Sequence, residues 1–104
     1  MSYKDIINNV GERITVTLTA ASGISATAII DNRSAKTVFY GSREDDQLKK
    51  LVLRYSQGLG EETEISYGVN AIGQGIDRVF NTNTKLYLDQ FGESPFRIKI
   101  IGRN

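Results

Sequence analysis

The strongest signal along the chain is alternation with a period of two. Over residues 13–20 the order Arg-Ile-Thr-Val-Thr-Leu-Thr-Ala puts an apolar side chain at every second position with threonine between. Successive side chains of a strand point to opposite faces, so this run predicts a strand packed on one face and wet on the other. β-branched threonine suits the wet face. Ser22-Gly23 breaks the run as a hairpin turn does. Alternation resumes over residues 24–30, with Ile24, Ala26, Ala28 and Ile30 on one face. Asp31-Asn32-Arg33-Ser34 has turn chemistry, because Asp and Asn side chains bond nearby backbone. Residues 37–40 read as a third strand, and three sequential strands with short turns predict an antiparallel meander.

Downstream, residues 62–69 place Ile65, Tyr67 and Val69 on one face. Residues 70–74 are loop-like, residues 76–80 form a short apolar segment, and Asn81-Thr82-Asn83-Thr84 is turn-forming. Residues 85–88 and 96–101 are the last two strands, joined through Gly92 and Pro95; the final one is expected to bury Phe96, Ile98 and Ile100. The N-terminal residues 2–10 admit three forms. They fit a short helix with Ile6, Ile7 and Val10 on one face, an edge strand, or an arm that docks on a neighbouring subunit.

Residues 42–57 carry two competing patterns. As a helix, Ser42 is the N-cap and Asp45 completes a capping box. Glu44, Asp45 and Asp46 then precede Lys49, Lys50 and Arg54, the order that the helix dipole favours. Leu48, Leu51, Val52 and Tyr55 form one apolar stripe, and Gly58 stops the helix. As a strand, Leu51, Leu53 and Tyr55 alternate with Lys50, Val52 and Arg54, and residues 43–47 become a polar loop. The helix accounts for more residues and is adopted. The expectation is therefore one domain over residues 1–104, mainly β, with six or seven antiparallel strands. They form a sandwich or partly open barrel with one covering helix at 43–56. An α+β sheet-plus-helix domain is the alternative description.

Composition narrows function more than fold. A chain of 104 residues buries roughly two-thirds of its unfolded surface, enough for one core without disulfides or metals. Zero cysteine removes disulfides, thiolate nucleophiles and cysteine-ligated zinc. Zero histidine removes the commonest general base and metal ligand. A net charge of +1 supplies no broad field toward nucleic acid or anionic membrane. The first residues lack the apolar stretch of a secretory signal, so the cytoplasm is the default expectation unless a leader was removed.

Each remaining candidate for chemistry has a plainer explanation. Glu62 and Glu64 share a strand face, but two glutamates on the wet face of an edge strand serve solubility and block edge pairing. Gly73-Gln74-Gly75 lacks the third glycine of a dinucleotide fingerprint and the Lys-Ser/Thr of a P-loop. Asp31, Asn32, Asn81, Asn83 and Asp89 are hard oxygen donors, yet their spacing matches no calcium loop. Asn32-Arg33-Ser34 is formally a glycosylation sequon, which means little without a signal peptide. No Ser-x-x-Lys motif occurs. No catalytic or metal-binding residue is assigned, and no cofactor is expected.

Binding residues remain. Lys85, Arg97, Lys99 and Arg103 gather toward the C-terminal end, with Arg97 and Lys99 on one strand face and Tyr87 nearby. Tyrosine gives amphipathic contact area. Tyr87 is out of phase with Leu86 and Leu88 and is expected to reach the face opposite the core; Tyr40 is similarly out of phase with Phe39. Tyr40, Tyr87, Arg97, Lys99, Asp31 and Asn32 are the candidate binding residues.

Residues 14–41, read as strand, Ser-Gly turn, strand, Asp-Asn turn and strand, resemble small bacterial β-sandwich lectins, over the first half of this chain only. That resemblance implies a sandwich and a glycan surface. The Asp/Asn-dense calcium loop of the calcium-dependent lectins does not occur in the C-terminal half, and the chain is not assigned to that family. The functional expectation is a non-catalytic binding or self-assembly module acting through a protein–protein interface, with a protein partner or a second copy. The alternatives are a carbohydrate- or membrane-surface-binding module and a small phage- or virus-type inhibitor of a host protein. Nucleic acid is not an expected partner.

Overall fold

The computed structural model describes residues 2–41, 46–56, 62–69, 75–92 and 97–104. Its elements are β1 (Ser2–Asn9), β2 (Ile14–Ala20), β3 (Ser25–Ile30), β4 (Ala35–Tyr40), β5 (Leu48–Ser56), β6 (Glu62–Gly68), α1 (Ile76–Asn81), β7 (Lys85–Phe91) and β8 (Arg97–Arg103). The strands form two four-stranded sheets, β4-β1-β7-β8 and β3-β2-β5-β6, packed face to face without closing into a barrel. β1 runs parallel to β7, and every other neighbouring pair is antiparallel.

The second sheet sorts its residues as alternation dictates. Ile14, Val16, Leu18 and Ala20 of β2 point inward with Leu48, Leu51, Leu53 and Tyr55 of β5, all essentially without solvent contact. From the first sheet, Ile6, Val38, Tyr40, Leu86, Leu88 and Ile98 complete the core, and Phe80 of α1 is packed into it.

Several expectations are corrected. The helix over 43–56 is overturned: Leu48–Ser56 is a strand, while residues 43–45 lie outside the described residues. Between β2 and β6 this segment makes two backbone ladders, with Leu18↔Leu51, Val16↔Leu53 and Ile14↔Tyr55 on one side. A lone helix over the same residues would bury one stripe, whereas the strand buries Leu51, Leu53 and Tyr55 and satisfies its backbone on both edges. The meander is corrected too. β3 pairs with β2, but β4 crosses to the other sheet and pairs with β1. Residues 2–9 form neither helix, edge strand nor arm on a neighbour, since β1 is an interior strand between β4 and β7. Eight strands, not six or seven, are present among the described residues, one pair of them parallel. The apolar segment at 76–80 is the helix α1. Of the three residues expected to be buried by the last strand, Ile98 is buried, Ile100 is half-buried, and Phe96 lies outside the described residues.

β1 is held by polar groups placed inside the sandwich. Ser2, Lys4, Ile6 and Asn8 all face inward and are buried. Asn8 Nδ2 donates to the carbonyls of Glu12, Ile30 and Asp31 at 2.8, 3.0 and 3.1 Å, and its Oδ1 accepts from the Val10 amide at 2.9 Å. One amide thus ties the end of β1 to the start of β2 and the end of β3. Lys4 Nζ donates to the Asn83 carbonyl at 2.6 Å. Burial pushes this ammonium below the usual lysine pKa. At the same end, Asn81 bonds both the amide and the carbonyl of Leu48, at 2.8 and 3.0 Å, and so continues the β5 ladder with a side chain.

Two glycines are required by close approach. A Cβ on Gly102 would lie 2.2 Å from Asn83 Nδ2 and 2.9 Å from the Val79 carbonyl, so only glycine lets α1 sit against β8. Gly41 has φ +79°, and a Cβ there would meet the Asp46 carboxylate at 2.6 Å. The two sides of the sandwich are bridged by side chains. Lys36 Nζ of β4 donates to the Ile29 carbonyl of β3 at 2.8 Å, and the Tyr67 hydroxyl of β6 donates to the Ile98 carbonyl of β8 at 3.0 Å.

Candidate functional site

Because β1 turns its even-numbered residues inward, its odd-numbered ones face solvent. Register then lays the outer face of the first sheet out as rows. Phe39 of β4 stands beside Tyr3 of β1. The next row runs Thr37, Asp5, Lys85, Arg103 across β4, β1, β7 and β8, and the one after it runs Ala35, Ile7, Tyr87, Ile101. Beyond these, Asn9, Asp89 and Lys99 form a row, followed by the pair Phe91 and Arg97.

This face combines aromatic, aliphatic and charged groups. Tyr3 is 45% exposed and Phe39 56%, with ring centroids 6.0 Å apart and planes tilted by 49°. Phe91 is also exposed at the opposite corner. Ile7, Tyr87 and Ile101 are half-buried. A shallow depression of about 320 Å³ opens between Asp5, Ile7, Ala35, Thr37, Lys85 and Tyr87. The small side chain of Ala35 leaves that hollow beside the larger residues of its row. Within its lining the Thr37 hydroxyl donates to Asp5 Oδ1 at 2.6 Å, which orients the carboxylate. In the next polar row, Asn9 Nδ2 donates to Asp89 Oδ1 at 3.2 Å.

The predicted binding residues separate into three groups. Tyr87, Arg97 and Lys99 lie on this outer face, with Lys99 directly across from Asp89 and Arg97 across from Phe91. Tyr40 does not. It is 3% exposed, so the phase difference from Phe39 holds with the opposite sense, Phe39 facing solvent and Tyr40 the core. The Tyr40 hydroxyl is pushed up to about 12 by burial first and by the nearby Asp46 charge second, against a hydrogen bond with Ser2. Asp31 and Asn32 are exposed in the turn between β3 and β4, and Asp31 accepts from Arg13 Nε at 2.8 Å.

Tyr3, Asp5, Ile7, Phe39, Phe91 and Ile101 belong to the face and escaped sequence reasoning. β4 is apolar at Val38, Phe39 and Tyr40 in succession, so alternation there names no outward side. In β1, Ser2, Lys4 and Asn8 inside the fold make the inner face look like the wet one.

The remaining candidates have structural roles. Glu64 accepts from Arg54 Nε at 3.0 Å on the exposed face of β6. Ser22 Oγ donates to Asp46 Oδ2 at 2.5 Å, fastening the β2–β3 hairpin to the segment entering β5. Asn81 and Asn83 bond the β5 start and the α1 carbonyls. Gly73 and Gln74 lie outside the described residues. Among the described residues, no group of three or more Asp and Glu is placed to hold a metal ion. No helix among them is long and apolar enough to cross a membrane.

No family model, curated relative or solved structure matches the chain.

Proposed function

We propose that the chain is a non-catalytic binding module that acts through a protein contact on the outer face of the β4-β1-β7-β8 sheet. The observation that carries this reading is the apolar row Ala35–Ile7–Tyr87–Ile101, flanked on both sides by charged rows, with the exposed Tyr3–Phe39 pair beyond one of them. An apolar centre that includes a tyrosine, with charged and aromatic groups around it, is the composition of contact surfaces between proteins. Among the described residues, the outer face of the second sheet carries threonine, serine, charged groups and the exposed Ile29, and no aromatic side chain.

The test is photo-crosslinking with a reactive amino acid placed at position 39 or 87, and in control proteins at position 17 or 27. Adducts with a protein, whether another chain or a second copy, are expected from 39 and 87 and not from the controls. Adducts from both faces alike, or from neither, reject the reading.

A second reading draws on one observation, the depression in which Tyr87 stands beside Asp5, Thr37 and Lys85. An aromatic platform with polar groups at its edge is suited to a sugar. Binding on a glycan array that Tyr87→Ala abolishes would select it, and a blank array removes it.

A further inference from the structure

The geometry points to a second copy of this chain as the occupant of that face, packed by a two-fold axis parallel to the strands and midway between β1 and β7; this rests on the proposed contact surface. Such an axis reverses the order of strands and preserves position along them. β1 of one copy then faces β7 of the other, and β4 faces β8.

The rows on this face complement themselves under that operation. Thr37–Asp5–Lys85–Arg103 meets its own reverse, so Asp5 of each copy faces Lys85 of the other, two opposite-charge pairs related by the axis. Ala35–Ile7–Tyr87–Ile101 meets Ile101–Tyr87–Ile7–Ala35. The bulky Ile101 thus falls over the hollow beside Ala35, and Ile7 packs on Tyr87. The other in-plane two-fold, perpendicular to the strands through the Tyr87 row, sets Asp89 against Lys85 but also Lys99 against Arg103 of the second copy, so its opposite-charge pairs are offset by like-charge ones. Charge and volume therefore select one orientation.

Four strands about 4.8 Å apart and seven residues long give a footprint on the order of 450 Å² per copy. That is below the roughly 800 Å² per partner of a standard stable interface, so a reversible dimer with a Kd between about 10 µM and about 1 mM is expected.

Sedimentation equilibrium of the purified full chain, up to about 2 mM, tests this. Wild type is expected to shift from monomer to dimer with concentration. Asp5→Lys and Lys85→Asp, each checked for folding by circular dichroism, place like charges across the axis and should weaken self-association at least about tenfold. An equal mixture of the two single variants should dimerise, because every facing pair in the mixed dimer is again opposite in charge. Ile101→Glu, remote from the charge pairs, should also give a monomer.

A wild-type monomer at every concentration overturns the inference, as does a dimer that survives both single variants or a mixture that stays monomeric. If the purified chain is monomeric while positions 39 and 87 crosslink to another protein, the binding-module reading stands and the two-fold pair fails. If those positions crosslink to nothing, the contact surface itself is wrong.

Discussion

The outward side of β2 carries Thr15, Thr17 and Thr19, while that of β1 carries Tyr3, Asp5, Ile7 and Asn9. Inward, β2 contributes Ile14, Val16, Leu18 and Ala20, and β1 contributes Ser2, Lys4, Ile6 and Asn8. One strand obeys the rule of apolar inside and polar outside at every position, and the other largely inverts it. The inversion needs specific hydrogen bonds to hold it, which Asn8 and Lys4 supply. It also leaves apolar and aromatic groups in water, where they are unfavourable unless something covers them. Departures of this kind from local consistency tend to mark functional surfaces. The contrast between the strands is therefore itself a reason to look for a partner on the first sheet.

The largest expected effect breaks the inverted strand from inside. Asn8→Ala removes the acceptor of the Val10 amide and the donors to three carbonyls. A loss of about 3 kcal/mol in unfolding free energy by urea titration is expected, the size set by leaving buried polar groups unpaired. A loss below about 0.5 kcal/mol would mean that the inversion is not held by Asn8, and the contrast with β2 would lose its physical basis.

How much of this was legible before the structure follows the same contrast. The β2–β3 hairpin is legible from alternating threonine and Ser22-Gly23, because β2 sorts its faces by polarity alone and only Ile29 of β3 departs from that order. β5 was misread because Leu48, Leu51, Val52 and Tyr55 satisfy a helical stripe as well as a strand, and pairing with β2 and β6 decides between them. Of those partners, β2 is distant in sequence. β1 is not legible from its own residues, since its inward ammonium is paired by Asn83 and its inward amide in part by Ile30 and Asp31, all far along the chain. Of the candidate face, the outward direction of Tyr87 was legible from its neighbours Leu86 and Leu88. Tyr3 and Phe39 were not, because their exposure depends on β1 and β4 pairing with each other.

A smaller effect concerns the aromatic that turned inward. Tyr40 is held at about 12 in the folded protein against 10.0 for an ordinary tyrosine. Above pH 10 the unfolded chain therefore gives up this proton while the folded one keeps it. Tyr40 contributes stability that is fully present below pH 10 and is lost as pH rises toward 12, about 2 kcal/mol in all. Tyr40→Phe should flatten that part of the alkaline decline in a urea series taken across this range. An unchanged decline would place the Tyr40 hydroxyl in water and shrink the contrast between Tyr40 and the exposed Phe39.

Lys4 titrates with the opposite sign and a weaker effect. Its folded pKa lies below 10.5, so over the window between the lowered value and 10.5 the unfolded state binds more protons. The penalty for burying the ammonium is fully present below that window and is relieved as pH rises through it. The stability difference between wild type and Lys4→Met should therefore move in favour of wild type with rising pH. A difference constant with pH would put the Lys4 ammonium in solvent and remove the second of the inward polar groups on which the inversion of β1 rests.

The smallest effect tests the orderly strand. Thr17 and Thr27 face each other across β2 and β3 with hydroxyl oxygens 3.1 Å apart, and Thr19 and Ser25 do the same at 2.9 Å. On the wet face these hydroxyls exchange readily with water, so their mutual bond adds little net free energy. Thr17→Ala with Thr27→Ala should change unfolding free energy by less than about 1 kcal/mol, mostly through lost β-branching, and should leave self-association unchanged. The comparison is sharpest when both readouts are taken on one protein. A face that tolerates the double change in stability and in sedimentation is a passive wall, whereas a shifted dimer equilibrium would show that the threonine side also makes contact. In that event Tyr3 and Phe39 would lose their special standing, because exposed aromatic groups would no longer distinguish the binding face from the other.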